Sequence, residues 1–264
     1  MLKLLGIPYD NNSSFLQGPA LAPERIRLMD TEGSANRFCE HGIEIMEGHN
    51  YQDLGDISFN DCSAEVAYNQ IKKTVLKAIG NGDKLICLGG DHSISFPVIE
   101  AHAQMYPKLN VLHLDAHGDL YHNFDGNPFS HASPFARLSE KGLLSSLTQV
   151  GIRTLNTHQK EQAERYNIKI IEMRDFNMDF IHALQEPLYI SFDIDVLDPA
   201  FAPGISHHEP GGMTTREAFS IIHQIKTPIV GADIVELNPN RDINNATAMV
   251  AYKTFKELAS KMLN

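Results

Sequence analysis

The sequence predicts an α/β protein built on a parallel sheet that is covered on both faces by helices. From residue 84 onward, strand-like and helix-like stretches alternate. Strands are expected near 84–88, 109–114, 147–152, 168–172, 187–193 and 228–234, and helices near 94–105, 135–141, 157–166, 177–185, 214–225 and 246–262. The strand runs are continuously apolar rather than alternating, as in strands buried on both faces. Acidic and imidazole residues follow directly after these runs, at the carboxyl ends where such sheets place their ligands.

The elements before residue 84 are less regular. Leu2 to Pro8 reads as a short buried strand, and residues 10–18 read as a polar connecting loop. A helix from about Pro23 to Met29 has its proline in the first turn, where the missing N–H costs nothing. Residues 31–60 read as irregular surface chain. Ala64 to Ile79 carries Val66, Ile71, Val75, Leu76 and Ile79 at helical spacing. Ser63 stands where an N-cap belongs, although Val66 rules out a capping box. Gly80-Asn81-Gly82-Asp83 ends that helix. No internal repeat, low-complexity tract or linker divides the chain, so residues 1–264 are expected to form one domain.

A formal charge of −11 with no Lys/Arg cluster argues against a nucleic-acid surface. No apolar run approaches membrane-spanning length, and the apolar part of the N-terminus is too short for a signal peptide. Three cysteines, Cys39, Cys62 and Cys87, show no metal spacing and call for no oxidising compartment. Cytoplasm is the expectation.

Three strand ends carry the chemistry. Val111-Leu112-His113-Leu114-Asp115-Ala116-His117-Gly118-Asp119 turns from apolar to acid and imidazole. Residues two apart on a strand share a face, so Asp115 and His117 can address one centre from positions roughly 7 Å apart. Gly118 is expected to let the chain curl back and bring in Asp119. Leu188 to Phe192 ends in Asp193 and Asp195, and Lys84 to Leu88 runs into Gly89-Gly90-Asp91-His92-Ser93. A lone strand-end Asp is ordinarily a cap or a turn residue. Several carboxylates delivered to one rim instead repel one another unless cations neutralise them. Four carboxylates and two imidazoles suit Mn²⁺ or a similar first-row ion.

These stretches resemble the three signatures of the ureohydrolase superfamily, in the family's order: Gly89-Gly90-Asp91-His92-Ser93, Asp115-Ala116-His117-Gly118-Asp119, and Ser191-Phe192-Asp193-Ile194-Asp195-Val196-Leu197-Asp198-Pro199. Its members include arginase, agmatinase, guanidinobutyrase and formiminoglutamase. The resemblance runs from Gly6-Ile7-Pro8 to Glu236-Leu237-Asn238-Pro239. It implies a three-layer α/β/α arginase-like fold with a mostly parallel eight-stranded sheet, and a homo-oligomer.

The resemblance also implies roles. His92, Asp115, Asp119 and Asp193 would hold one Mn²⁺, and His117, Asp115, Asp193 and Asp195 a second, with Ni²⁺ or Co²⁺ as alternatives. Such a pair can acidify a shared water near neutral pH. Asp119 would orient that nucleophile, His131 would protonate the leaving amine, and Glu236 would grip the guanidinium. Glu209 matches the Glu of the agmatinase loop Thr-Pro-Glu-Pro-Gly-Gly, with His207 and His208 in place of Thr-Pro. That imidazole pair would either shape the site or form a solvated rim. Tyr121 and Asn156 stand where arginases carry the Asn and Asp that read an amino-acid head group. The substrate expected on these grounds is a small guanidino compound, agmatine hydrolysed to putrescine and urea. Formiminoglutamate, a guanidino acid and free guanidine are the alternative substrates, and an inactive family scaffold is the non-enzymatic one.

Overall fold

Eight strands form: β1 (Leu2–Ile7), β2 (Tyr51–Asp56), β3 (Lys84–Gly89), β4 (Asn110–Leu114), β5 (Ser146–Ile152), β6 (Lys169–Glu172), β7 (Leu188–Asp193) and β8 (Ile229–Val235). In this computed structural model, which describes residues 1–33, 36–60 and 62–263, they make one sheet in the order β2-β1-β3-β8-β7-β4-β5-β6. Every neighbouring pair is parallel, so the expected "mostly parallel" sheet is wholly so.

Seven helices cover the sheet: α1 (Ala22–Thr31), α2 (Ala64–Ile79), α3 (Ser95–Met105), α4 (Pro134–Glu140), α5 (Thr157–Arg165), α6 (Thr215–Gln224) and α7 (Ala246–Leu263). Alternation along each strand sorts the core into two. Ile86, Leu88, Leu112, Leu114 and Ile190 pack with residues of α1, α6 and α7. Leu85, Cys87, Val111 and Tyr189 face the other way, onto α2, α3 and α4. β4 and β7 are buried at every position, which is why they read as unbroken apolar runs.

Departures from the sequence reading fall where burial is partial. Residues 31–60 contain an edge strand, β2, whose sequence Tyr-Gln-Asp-Leu-Gly-Asp is too polar to signal one. Arg27 of α1 holds it, with its guanidinium on Asp53 at 2.6 and 2.9 Å and on Asp56 at 2.5 Å. Residues 34 and 35 of that stretch, and residue 264 of the expected domain, lie outside the described residues. The helix expected at 177–185 is a short 3₁₀ segment, Asp179–Ala183. Ser63 does cap α2, accepting from the Val66 amide. Among the described residues, no helix is long and apolar enough to cross a membrane.

β3, β8, β7 and β4 are adjacent in the centre of the sheet. Their register pairs Leu114 with Phe192, Asp193 with Val235 and Leu88 with Ile234. The four strands therefore end nearly level, and the residues just beyond them meet at one rim. The loop after β1 closes over this rim because residue 90 is glycine. A Cβ there would stand 1.8 Å from the Tyr9 carbonyl oxygen, which is backbone and cannot rotate away. Gly90→Ala is expected to cost about 1–3 kcal/mol, the usual range for forced overpacking. Urea unfolding of the variant beside the parent measures it, and an unchanged midpoint would contradict this packing.

Candidate active site

His92 lies just past β3, at the start of a 3₁₀ turn whose N-cap is Asp91. Its ring is fixed from behind. Ser191 of β7 donates its single hydroxyl proton to Asp233 Oδ1 at 2.7 Å, so its oxygen accepts from His92 Nε2 at 3.0 Å. Tyr189 donates to the other oxygen of Asp233, also at 2.7 Å. The proton of a neutral His92 is thereby placed on Nε2, and Nδ1 carries a lone pair. That Nδ1 is buried and has no hydrogen-bond partner. Yet Asp193 Oδ2, Asp115 Oδ2 and Asp119 Oδ2 stand 3.0, 3.1 and 3.2 Å from it. Four lone-pair donors converge with no hydrogen between them. Ligands about 2.1 Å from a first-row ion and at right angles stand about 3 Å apart, so the set fits a divalent metal.

A second focus adjoins the first. His117 Nδ1 lies 2.9 Å from Asp195 Oδ2 and 3.4 Å from Asp115 Oδ1. Asp115 thus spans both foci, as expected. Asp193 gives one oxygen to the His92 focus, but its other oxygen accepts from the Asp195 amide at 2.8 Å. A carboxylate oxygen that accepts one hydrogen bond keeps a second lone pair, so this bond does not bar Asp193 from both foci, just as Asp115 Oδ1 accepts from the His117 amide at 2.6 Å. Asp115 is in turn held by His113, whose Nε2 donates to Oδ2 at 2.6 Å while Nδ1 accepts from Gln149 at 2.9 Å. His113 escaped the sequence reading, although it shares a strand face with Asp115 two residues on.

The turn after β4 is not made by Gly118, as expected, but by Asp119 itself, at φ 49°. Glu236, just beyond β8, is also left-handed, at φ 65°. Non-glycine residues held in this region cluster at functional sites, where the surroundings over-determine them.

Without cations the cluster's own imidazoles supply the positive charge. Burial opposes protonation of His92 and His117, but the surrounding carboxylates outweigh it and raise both well above the usual range. Burial, with the charges of Asp195 and Asp115, pushes Asp193 well above the carboxylate range. The centre is frustrated without cations, which supports the metal reading.

His131 and Glu236 meet beside this centre. His131 Nδ1 bonds Glu236 Oε1 at 2.8 Å, and the His92 amide donates to the same oxygen at 2.9 Å. Oε1 is therefore committed, and Oε2 is left for a ligand. His131 is nine-tenths buried, which alone would lower its pKa, but Glu236 and then Asp91 raise it to about 9. Its Nε2 accepts from the Ser14 amide at 3.1 Å and lies 2.8 Å from the Ser14 Oγ. The 10–18 loop is therefore a wall of the site and not a plain connector. Asp91 anchors it by accepting from the Asn12 amide and the Ser13 hydroxyl, both at 3.1 Å.

A cavity of about 190 Å³ opens onto both foci. It is small beside the roughly 300–1,000 Å³ of drug-sized pockets, and so suits a compact substrate. Asp119, Tyr121, His131, His117, Asp193, Asp195, His207 and Glu236 line it, as do Ser14, Thr154 and Gln159, which the sequence reading missed. His207 faces inward, and burial lowers its pKa. His208 turns away to the Pro203 carbonyl at 2.9 Å, so only the first of the pair belongs to the site.

Two expected contacts do not reach the cavity. Glu209 is absent from its lining, because Arg153 grips the Glu209 carbonyl at 2.7 and 2.9 Å and fixes the loop's backbone. Asn156 is the N-cap of α5, accepting from the Gln159 amide at 2.9 Å, and its amide nitrogen donates to the Tyr121 hydroxyl at 2.7 Å. It acts through Tyr121 and does not line the cavity.

The same fold recurs in known proteins. The model of the Arginase family matches residues 2–260. The chain belongs to the arginase family. Arginase 1, mitochondrial, of Arabidopsis thaliana is 45% identical over 275 residues, covering 98% of this chain and 80% of that protein. An agmatinase of Bacillus anthracis is 32% identical, covering 97% of this chain and 89% of that protein. Among solved structures, arginase from Medicago truncatula superposes with a TM-score of 0.91 at 40% identity, covering 99% of this chain and 87% of that one. The arginase-like α/β fold expected from the three signatures is thus established.

Metal binding should stabilise the protein by RT ln(1 + [L]/Kd), about 2.7 kcal/mol at a hundredfold excess over Kd, and chelation should remove that gain. Asp115→Ala, which cuts the residue common to both foci, should leave less than one metal per chain by elemental analysis; full occupancy would contradict the assignment. A second test concerns the metal-free protein. His131 is raised from 6.5 to about 9 on folding, so its contribution is complete below pH 6.5 and is lost as pH rises through about 9. His131→Asn should flatten the fall in melting temperature over that window. Parallel curves for parent and variant would refute the His131–Glu236 pairing.

Proposed function

We propose that this arginase-family chain hydrolyses a small guanidino compound to urea and an amine, using two divalent metals held by His92, His117, Asp115, Asp119, Asp193 and Asp195. The observation that carries this is the convergence of three carboxylate oxygens within 3.2 Å of Nδ1 of His92, beside a second imidazole–carboxylate focus. When bound, such a metal pair supplies the Lewis acidity that lowers the pKa of water toward neutrality. Mn²⁺ is the ion proposed, because carboxylates outnumber imidazoles in the ligand set, with Ni²⁺ and Co²⁺ next.

The chain's own residues do the rest. The guanidinium is planar and its charge is spread over three nitrogens, so it needs both a strong nucleophile and a fixed orientation. Glu236 Oε2 is placed to bind it, and Asp119 to accept a hydrogen bond from the attacking water. Water gives a proton to Asp119 as its oxygen adds to the guanidinium carbon. The C–N bond to the tail breaks as the departing nitrogen takes a proton from His131, whose protonated Nε2 must turn from the Ser14 amide. The urea passes its extra proton to the amine, and the proton on Asp119 restores His131. Glu236 keeps His131 protonated and aimed, so one carboxylate serves both substrate and acid.

Two substrates follow from two different observations. Identity favours L-arginine, since the arginase of A. thaliana stands at 45% and the agmatinase of B. anthracis at 32%. The case for agmatine rested on Glu209, which does not line the cavity, and on Tyr121 and Asn156. What remains of it is that the outer wall offers only neutral groups, Ser14, Tyr121, Thr154 and Gln159, and no carboxylate to pair an α-ammonium. We take L-arginine as the first candidate and agmatine as the second.

The test is a panel of L-arginine, agmatine, guanidinobutyrate and formiminoglutamate assayed for urea and formamide with Mn²⁺-loaded protein. Urea from a guanidino compound supports the reading; formamide alone overturns it, and the ratio of kcat/KM values decides the tail. His131→Asn should lower turnover by about 10²–10⁴-fold with metal content unchanged, the range for a positioned acid. Parental turnover would remove His131 from the chemistry.

A further inference from the structure

The described residues hold three clusters of three metal-ligating side chains, of which two make up the active centre. The third shares no residue with it. His41, His223 and Glu257 each offer a ligand atom within 4.8 Å of the others. They come from three places in the chain: a tight turn closed by the Cys39 amide on the Ile43 carbonyl at 2.9 Å, the last turn of α6, and the middle of α7. We propose that this cluster is a separate site for a zinc-like divalent cation, which would clip the 39–43 turn to α6 and α7.

The carboxylate is built to serve. Glu257 is fully buried in its side chain, and its Oε1 takes the Lys253 ammonium at 2.7 Å and the Glu40 amide at 2.9 Å. These bonds orient the group and leave Oε2 to His223 Nε2 alone, at 2.8 Å. Second-layer bonds of this kind fix ligands at metal sites. The proton between Nε2 and Oε2 is what a metal would replace. His41 meets the His223 ring edge to face, with centroids 4.7 Å apart and planes at 87°. Its exposed ring gives an entry path and leaves a coordination position to water. Ligands of a tetrahedral site about 2.0–2.1 Å from zinc stand about 3.3 Å apart, a distance that a turn of the exposed His41 ring can close.

The donor set separates this site from the active centre. Two imidazoles and one carboxylate are a softer set than four carboxylates and two imidazoles, and they select zinc-like ions over manganese. The surrounding charges do not attract cations. Lys253 lies on Glu257, Arg216 on Glu40 at 2.7 Å, and Lys261 on the His223 carbonyl at 3.2 Å. Binding therefore depends on coordination by His41 and His223 and disappears without them.

The test uses Mn²⁺-loaded protein titrated with Zn²⁺, with both metals counted by elemental analysis after gel filtration. Expected is one zinc per chain bound without release of manganese, and a rise in melting temperature. His41→Ala, an exposed turn position outside the active centre, should weaken that zinc by more than about tenfold, the least that losing even a second-layer partner does. His223→Asn should do the same and abolish the thermal shift. Zinc bound only in exchange for released manganese, or equal zinc binding by parent and His41→Ala, would overturn the proposal.

Discussion

Like charge gathered at one buried rim is the constraint on which the rest of the structure depends. Asp115, Asp119, Asp193 and Asp195 are all less than a tenth exposed and lie within a few ångströms of one another. In a medium of low effective dielectric such a group is costly without countercharge. The imidazoles of His92 and His117 offset part of it by taking protons. Cations would do so more fully, and they would return the imidazoles to their neutral, ligating form. Cation binding and the stability of the site would therefore be coupled, and part of the chain's −11 formal charge is gathered at this rim rather than on the surface.

Holding such a cluster open requires a second layer that cannot relax. Ser191, Asp233 and Tyr189 fix His92 from one side, and Gln149 and His113 fix Asp115 from the other. Arg153 adds a third brace, bonding the Asp195 carbonyl at 2.7 Å and the Glu209 carbonyl across the same gap. These groups sit on central strands or directly beyond them, where the packed sheet leaves little freedom. The two left-handed residues, Asp119 and Glu236, are held in place by the same framework.

The central sheet and the carboxylates and imidazoles that meet at its rim were legible in the sequence because burial on both faces and like-charge clustering are strong local signals. β3, β4 and β7 announce themselves as apolar runs, and each ends in its ligands. The edge strand β2 gave no such signal, since an edge needs less apolar surface and its Asp53 and Asp56 are there for Arg27. His113 went unread in the sequence, and only its distance to Asp115 reveals it as a brace. The 10–18 loop looked like a connector because its role depends on Asp91 and His131, each distant in sequence. Glu209 was misplaced for the opposite reason: its motif was visible, but the Arg153 clamp that sets the loop's direction was not.

These differences share one physical origin, and it explains why reaction class and substrate are not equally readable. The carboxylates and imidazoles of the two foci sit just beyond strand ends, where the sheet's register fixes them and sequence spacing reports that register directly. Other parts of the cavity lining come from loops and a helix: Ser14 before α1, Tyr121 and Thr154 after β4 and β5, Gln159 in α5, and His207 before α6. Two of them are tethered to residues distant in sequence, Tyr121 to Asn156 and Ser14 to His131. A change in one tether would redirect the tail without disturbing the metals. A single scaffold can thus keep its chemistry while its substrate changes, and discrimination among guanidino compounds is to be sought at the Tyr121–Asn156 pair rather than in the carboxylates and imidazoles of the two foci.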